Sequence, residues 1–378
     1  MSHLYFLLSS YTPNSATSSR YLGYLQGLDE MGVDAEVYFF WPDKRERITE
    51  KFQHVQIHYL WEHLYFNQKY LKHLSYLLYV LYIFLKIKKG DKVYTYGLAE
   101  LLPILMKKKG IDFYHERTEM PASDSSLGGK VLKVSLNDYY KYCAQLKGLI
   151  VISTYLKQHF VEHGVDEKKI SIINIIVDPK RFEGLIKNQE VEPYIAYCGT
   201  VENAVDGVGQ LIKAFAIVSR KHPEVKLYIA GRAPYEKDVI ENEQLIKEYG
   251  LQDKVAFKGV VRANEVPQFL VNAKAVALDR PDSIIAKAGF PTKLGEYLLS
   301  KTPTVITRIG DIPLFLNDRK DSFLAEESNP VDFARQLNWI LENPEEAASI
   351  GERGAELAVE HFSYKSESKK LYEVFFND

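Results

Sequence analysis

The sequence predicts an α/β protein made of two doubly wound parallel-sheet domains. Three observations carry this. Strand-like and helix-like stretches alternate along nearly the whole chain, as in a parallel sheet with crossover helices. The length, 378 residues, suits two domains that each bury a core. A polar stretch, Asn188-Gln189-Glu190-Val191-Glu192-Pro193, interrupts the series near its middle, and a second alternating series follows.

In the first half His3–Ser9 reads as a strand, Thr17–Met31 as a helix, and Ala35–Phe40 and Val55–Tyr59 as strands. A long aromatic helix comes next. Lys92–Tyr96, Ile111–His115, Gly148–Ile152 and Lys169–Ile173 read as further strands with helices between them. In the second half Tyr194–Cys198, Lys226–Ala230, Val255–Lys258, Ala275–Asp279 and Thr304–Thr307 are strands. Val208–Arg220, Glu236–Tyr249, Pro330–Glu342, Glu345–Glu360 and Tyr364–Phe376 are helices. Domains are expected at 1–188 and 189–362. No repeat of solenoid length is visible.

Composition narrows the function classes. Hydrophobic residues at 46% and charged residues at 26% are ordinary for a globular protein. Lys+Arg 48 against Asp+Glu 50 leaves a net charge of -2, which argues against bulk nucleic-acid binding. Cys143 and Cys198 are too few for a disulfide framework, and a reducing, cytoplasmic setting is expected. The start, Met1-Ser2-His3-Leu4-Tyr5-Phe6, reads as a first strand rather than a signal peptide.

Aromatic residues are many, with Tyr 26 and Phe 19, and they cluster between Tyr70 and Lys92. The uninterrupted apolar run Tyr76–Leu85 is too short to span a bilayer. Lys69, Lys72, Lys86, Lys88, Lys89 and Lys92 flank it. Two readings stay open: peripheral contact of 70–92 with the anionic inner face of a membrane, or a helix buried between a sheet and its neighbours with lysines snorkelling at its ends.

The most specific motif is Gly289-Phe290-Pro291-Thr292-Lys293-Leu294-Gly295-Glu296-Tyr297-Leu298, a tight loop that feeds a helix. A helix entrance offers free N–H groups and a positive dipole end, a seat for phosphate, to which Lys293 adds charge. Glu296 is not a capping-box residue, because that spacing from Thr292 falls on Gly295. A carboxylate just beyond a phosphate seat is placed to accept hydrogen bonds from a ribose diol. Together these point to a nucleoside diphosphate.

Other loops at strand ends point to the same edge. Gly199 and Thr200 follow one strand, Gly231 and Arg232 the next, and Val260 sits where backbone groups can hold a nucleobase. The Gly199–Gly209 loop lacks the spacing of a Rossmann G-x-G-x-x-G. Arg280 precedes the motif and is suited to fork onto a phosphate. In the first half, Tyr11–Arg20 carries more hydroxyls than a helix cap needs, so Asn14 and Ser15 are candidates for an acceptor or phosphate contact. His115 and Glu116 end a strand at the rim of the presumed cleft, with His115 either contacting a sugar or serving as a satisfied structural histidine. A zinc site would want a second His at helical spacing, where Glu119 stands.

With these residues in view, the chain resembles the group 1 (family 4) retaining glycosyltransferases of GT-B fold. The resemblance rests on Tyr197-Cys198-Gly199, Leu227-Tyr228-Ile229-Ala230-Gly231, Phe257-Lys258-Gly259 and above all Lys293-Leu294-Gly295-Glu296-Tyr297-Leu298. Val151-Ile152-Ser153 and Ile176-Val177-Asp178-Pro179-Lys180-Arg181-Phe182 are looser landmarks. It implies two Rossmann-like domains facing across a cleft, the second binding a nucleotide diphosphate-sugar donor and the first the acceptor. It implies that the last helix, 363–378, packs back on the first domain. Glu296 would then grip the ribose, the Pro291, Thr292, Lys293 and Leu294 backbone would hold the diphosphate, and His115 would approach the donor sugar. No metal and no other cofactor is implied, since cationic side chains and dipoles stabilise the leaving diphosphate.

Three positions depart from the family pattern. Thr200 stands where many members have Arg, Asp206 where many have Lys, and Ala288 where many have Glu. Charge neutralisation would fall to Lys293 and Arg280, and less to Lys287 and Arg232. The expected function is transfer of a hexosyl group to a glycan, lipid-linked or small-molecule acceptor in cell-surface polysaccharide synthesis. The alternatives are a nucleotide-sugar epimerase on the same fold and an inactive nucleotide-sugar-binding protein.

Overall fold

The computed structural model describes residues 3–41, 46–63, 71–121 and 134–377. Met1, Ser2, Lys69 and Tyr70, which enter the sequence readings above, lie outside the described residues. The chain divides into two compact units, 1–174 with 367–378, and 175–366. The polar stretch 188–193 therefore lies inside the second unit and not at the break. Val177 explains part of this: its N–H donates to Phe362 O at 2.9 Å and its carbonyl accepts from Tyr364 N at 2.9 Å, tying the segment before 188 to the second unit.

The first unit holds a seven-stranded parallel sheet: β1 Leu4–Leu8, β2 Ala35–Phe39, β3 Val55–Tyr59, β4 Lys92–Tyr96, β5 Asp112–Arg117, β6 Gly148–Val151 and β7 Ile170–Ile172, in the order β3-β2-β1-β4-β5-β6-β7. β1 is buried along its whole length, the continuous apolar run of a strand covered on both faces. Leu4 pairs with Ala35 on one side and Lys92 on the other. The strand order reverses between β1 and β4. Residues 367–378 belong to this unit, where the ring of Phe375 meets Phe6 at 6.1 Å and Tyr114 at 4.9 Å.

The aromatic helix, Leu71–Lys86, fits neither sequence reading alone. One face is core: Tyr76 stacks on Trp41 at 4.8 Å, and Tyr79 meets Phe40 at 5.1 Å. On the other face Leu74, Leu77, Leu81 and Leu85 are exposed. Of the flanking lysines, Lys86 pairs with Glu36 at 2.5 Å and Lys92 with Asp112 at 3.2 Å.

The second unit holds a six-stranded parallel sheet: β8 Tyr194–Cys198, β9 Lys226–Ala230, β10 Val255–Gly259, β11 Ala275–Leu278, β12 Thr304–Thr307 and β13 Phe323–Ala325, in the order β10-β9-β8-β11-β12-β13. Its order reverses between β8 and β11. Sequence reasoning missed β13, which is three residues long, and the helix Val266–Asn272, one turn past Arg262 with Pro267 in its first turn. Both are too short to show a period.

Candidate functional site

In open α/β sheets, ligands bind beyond the carboxyl ends of the strands where the strand order reverses. In the second unit that point lies between β8 and β11. The loops expected from sequence gather there because each follows a strand of one sheet. Gly199 and Thr200 follow β8, Gly231 and Arg232 follow β9, Val260 follows β10, and Arg280 follows β11.

Two glycines let these loops approach closely. Gly231 has φ +138°, and a Cβ there would lie 1.6 Å from the carbonyl oxygen of Gly199. At Gly199 itself a Cβ would lie 2.3 Å from Cε of Lys293. The missing side chain is therefore the space that Lys293 occupies. The motif helix, Lys293–Leu299, is fixed to the end of β8 by Tyr297, whose hydroxyl accepts from Cys198 N at 2.7 Å and donates to Cys198 O at 3.0 Å.

Lys293 forms a largely buried ion pair with Asp206, whose Oδ2 also accepts from the Tyr197 hydroxyl at 3.0 Å. Nζ lies 5.6 Å from the centre of the Tyr197 ring. Burial lowers the Lys293 pKa; Asp206 opposes that and Arg280 adds to it. Asp206 is thus more than the absence of a family lysine. It is the counter-ion of Lys293, which does not stand as a lone charge. Arg280 also differs from expectation. It is 4% exposed, and its guanidinium faces the carbonyls of Val205 at 3.5 Å and Ala286 at 3.3 Å instead of projecting as a free fork. Lys287 pairs with Asp282 at 2.5 Å, while Arg232, Thr200, Val260 and Thr292 are exposed. Pro291 and Leu294 are buried, and Leu294 N donates to Pro291 O at 3.0 Å.

Glu296 pairs with Arg181, which also donates to Ala263 O at 2.6 Å. Arg181 therefore braces the carboxylate expected at the ribose against the loop expected at the base. Burial lowers its pKa against the pull of Asp178 and Cys198. Sequence reasoning held Arg181 only as a landmark; a lone Arg 115 positions before Glu296 carries no spacing signal. Cys198, half-buried, has its thiol pushed up to about 11 by burial, with Lys293 and Arg181 pulling it back. Asp279, at the end of β11, is 1% exposed, and among the described residues neither carboxylate oxygen has a hydrogen-bond partner. Burial raises its pKa to about 7.

In the first unit a cavity of about 320 Å³ opens at the β1–β4 reversal, lined by Ser9, Ser10, Thr12, Ser15, Thr17 and Ser18 among others. Ser15 also caps the helix Ala16–Glu30, accepting from Ser18 N at 3.1 Å. Asn14 is exposed with φ 60°. The two rim residues of β5 do not join this cavity. His115 is 1% exposed, with Nδ1 2.8 Å from Thr95 Oγ1 and Nε2 3.0 Å from the Tyr139 hydroxyl. Both ring nitrogens are engaged, as the reading of a satisfied structural histidine requires. Burial, then Arg117, drops its pKa to about 3. Glu116 is likewise 1% exposed. It accepts from Arg20 Nε at 2.5 Å and from Tyr24 at 3.3 Å, and Arg20 continues to Ile173 O at 2.7 Å. Burial opposes the Arg20 charge, but Glu116 with Tyr24, Tyr94 and Tyr96 together outweigh it and raise the pKa.

Two Rossmann-like parallel-sheet units, with the loops of the second gathered around a lysine and a carboxylate, define a GT-B fold. Residues 180–357 match the family described as Glycosyl transferases group 1. The MMP alpha-(1->4)-mannosyltransferase of Mycolicibacterium hassiacum is 24% identical over 231 residues, 60% of this chain and 53% of its own length. The uncharacterized glycosyltransferase YqgM of Bacillus subtilis is 24% identical over 233 residues, 61% of this chain and 62% of its own. The chain thus spans about half to three-fifths of these curated relatives. Among solved structures, HepE of Anabaena in complex with UDP superposes with a TM-score of 0.72 at 17% identity, over 99% of both chains. S. aureus TarM, as a G117R mutant in complex with Fondaparinux, alpha-GlcNAc-glycerol and UDP, superposes at 0.74 and 14% identity over 100% of both.

Proposed function

We propose that this chain is a retaining, hexosyl-transferring enzyme that moves a sugar from a nucleoside diphosphate donor to a glycan, lipid-linked or small-molecule acceptor in cell-surface polysaccharide synthesis. One observation carries the reading. At the β8–β11 reversal, Lys293 and Arg280 lie close enough to act on one another, and both act with Asp206. A diphosphate has the sign opposite to the two cations, and cations held in a dry site stabilise it more strongly than in water. HepE and TarM were solved with UDP, so uridine diphosphate is the first nucleotide to try.

In this reading Glu296 takes the ribose hydroxyls, the Pro291–Leu294 segment and Lys293 take the diphosphate, and Gly199, Thr200, Gly231, Arg232 and Val260 line the nucleotide. The bond between the sugar C1 and the phosphate oxygen breaks, the electron pair stays on the diphosphate, and Lys293 compensates that charge. The acceptor oxygen bonds to C1 on the face the diphosphate leaves, its proton passes to the departing diphosphate oxygen, and the hydroxyl-lined cavity beside Ser15 serves the acceptor. The reading requires no metal.

The test is a thermal-shift series with UDP, UDP-sugars, other nucleoside diphosphates and UMP, followed by transfer assays over an acceptor panel. A ligand of the folded state raises its melting temperature. The proposal expects diphosphates to stabilise more than UMP, with sugar transfer dependent on acceptor. Absence of any shift with nucleoside diphosphates sinks it. Isomerised donor without acceptor assigns epimerisation instead, and binding without turnover assigns a binding protein.

A further inference from the structure

The helix Leu71–Lys86 carries one face that, among the described residues, nothing covers. Leu74, Leu77, Leu81, Tyr82 and Leu85 are 44%, 43%, 52%, 42% and 69% exposed. Their spacing of three, four, one and three residues places them in one stripe along the helix. The opposite face is pinned to the sheet through Tyr76, Tyr79, Val80 and Ile83, all buried. The open stripe is therefore fixed in place by the core beneath it. Four large leucines and a tyrosine in one strip are more than scattered surface apolars, and such patches mark interaction surfaces.

Charge identifies the occupant. Beyond the C-terminal end of the helix, Lys88 and Lys89 are exposed. The turn Lys107–Gly110 is held beside them: Lys108 Nζ lies 4.7 Å from the centre of the Phe84 ring and donates to Phe84 O, and Gly90 N donates to Gly110 O at 2.7 Å. Lys107 and Lys109 on this turn are exposed. Lys72 is exposed at the other end. The nearby acids are already engaged. Asp91 accepts from Lys88 N at 2.7 Å and His3 N at 3.1 Å, Glu36 holds Lys86, and Asp112 holds Lys92. The strip is therefore apolar with a basic cluster at its C-terminal end. Among the described residues no helix is long and apolar enough to cross a membrane. At 16 residues this helix suits the plane of an interface, its leucines among acyl chains and its lysines among headgroups.

We infer that the Leu74–Leu85 face docks the chain on an anionic lipid bilayer. This goes beyond sugar transfer and does not depend on it. The experiment is flotation of the full chain with vesicles of phosphatidylglycerol and phosphatidylcholine, against vesicles of phosphatidylcholine alone, with size-exclusion chromatography in parallel. The expected result is flotation with the anionic vesicles only, weakened by added salt. Leu81→Asp with Leu85→Asp should abolish it. Lys88→Gln with Lys89→Gln should weaken it roughly tenfold. Unchanged melting temperatures show that both pairs still fold, since these side chains are exposed. Wild-type protein that stays with the lipid-free fractions overturns the inference. So does flotation that survives both leucine substitutions, or a dimer of wild-type protein, lost on those substitutions, in place of flotation.

Discussion

Lys293 and Asp206, 87 residues apart, form a largely buried ion pair at the reversal of strand order in the second unit, with the Tyr197 hydroxyl on the same carboxylate oxygen. A buried charge that loses its partner is costly, about 3 kcal/mol or more. Lys293→Ala should therefore destabilise the chain by about that much, and Lys293→Ala with Asp206→Asn by less. On the proposed function, Lys293→Ala should also weaken UDP binding by roughly tenfold or more, while Asp206→Asn, which removes a competing anion, should not weaken it. Chemical denaturation and calorimetry check the two halves. UDP affinity unchanged in Lys293→Ala would count against the diphosphate role.

Arg181 bridges Glu296 and the carbonyl of Ala263. If it holds Glu296 toward a ribose, Arg181→Gln and Glu296→Gln should each cost roughly tenfold in UDP affinity, and the double variant should cost little more than Glu296→Gln alone. A 2′,3′-dideoxy nucleoside diphosphate lacks the hydroxyls at issue, so its affinity should be nearly the same in Arg181→Gln and wild type. Equal losses for both nucleotides would mean that Arg181 acts on the fold and not on the ribose.

Gly231→Ala should be among the most damaging single-methyl additions to the second unit. The backbone sits at φ +138° and the new Cβ would fall on the Gly199 carbonyl. The expected loss is about 3 kcal/mol or more from strain and displaced backbone. A melting temperature within a degree or two of wild type would show that the β8 and β9 loops separate easily.

Two buried groups set opposite limits on pH stability. His115 has a folded pKa of about 3 against an ordinary 6.5, so its contribution is full above 6.5 and is lost as pH falls toward 3. Asp279 has a folded pKa of about 7 against 3.8, so its contribution is full below 3.8 and is lost as pH rises toward 7. Each slope is at most about 1.4 kcal/mol per pH unit. Asp279→Asn should raise the melting temperature more at pH 8 than at pH 4. His115→Asn should flatten the loss of stability between pH 6 and pH 4. Parallel pH profiles in wild type and variants would contradict both.

The sheets were legible in the sequence because parallel strands buried on both faces read as apolar runs closed by turns. β1, β9 and β12 lie where the pattern puts them. The motif helix was legible because glycine, proline and apolar spacing agree over ten residues. Pairings across the chain were not. Asp206 and Arg181 find Lys293 and Glu296 through folding, and no local period marks them. The surroundings of His115 and Glu116 were not legible either, because a polar pair at a strand end reads as a rim. Tyr139, Thr95 and Arg20 supply partners from distant segments and turn both side chains inward.

Cys198 has a use that follows from where it sits. Cys143 is fully buried, so Cys198 is the more accessible of the two thiols. Lys293 and Arg181 both act on its ionisation, and the proposed nucleotide would draw on the charge of the first and the ion pair of the second. Alkylation of Cys198 by a small maleimide, followed by mass spectrometry, should slow when the pocket fills. The molecule thus carries a native chemical reporter of its own occupancy, one that needs neither a label nor knowledge of the acceptor.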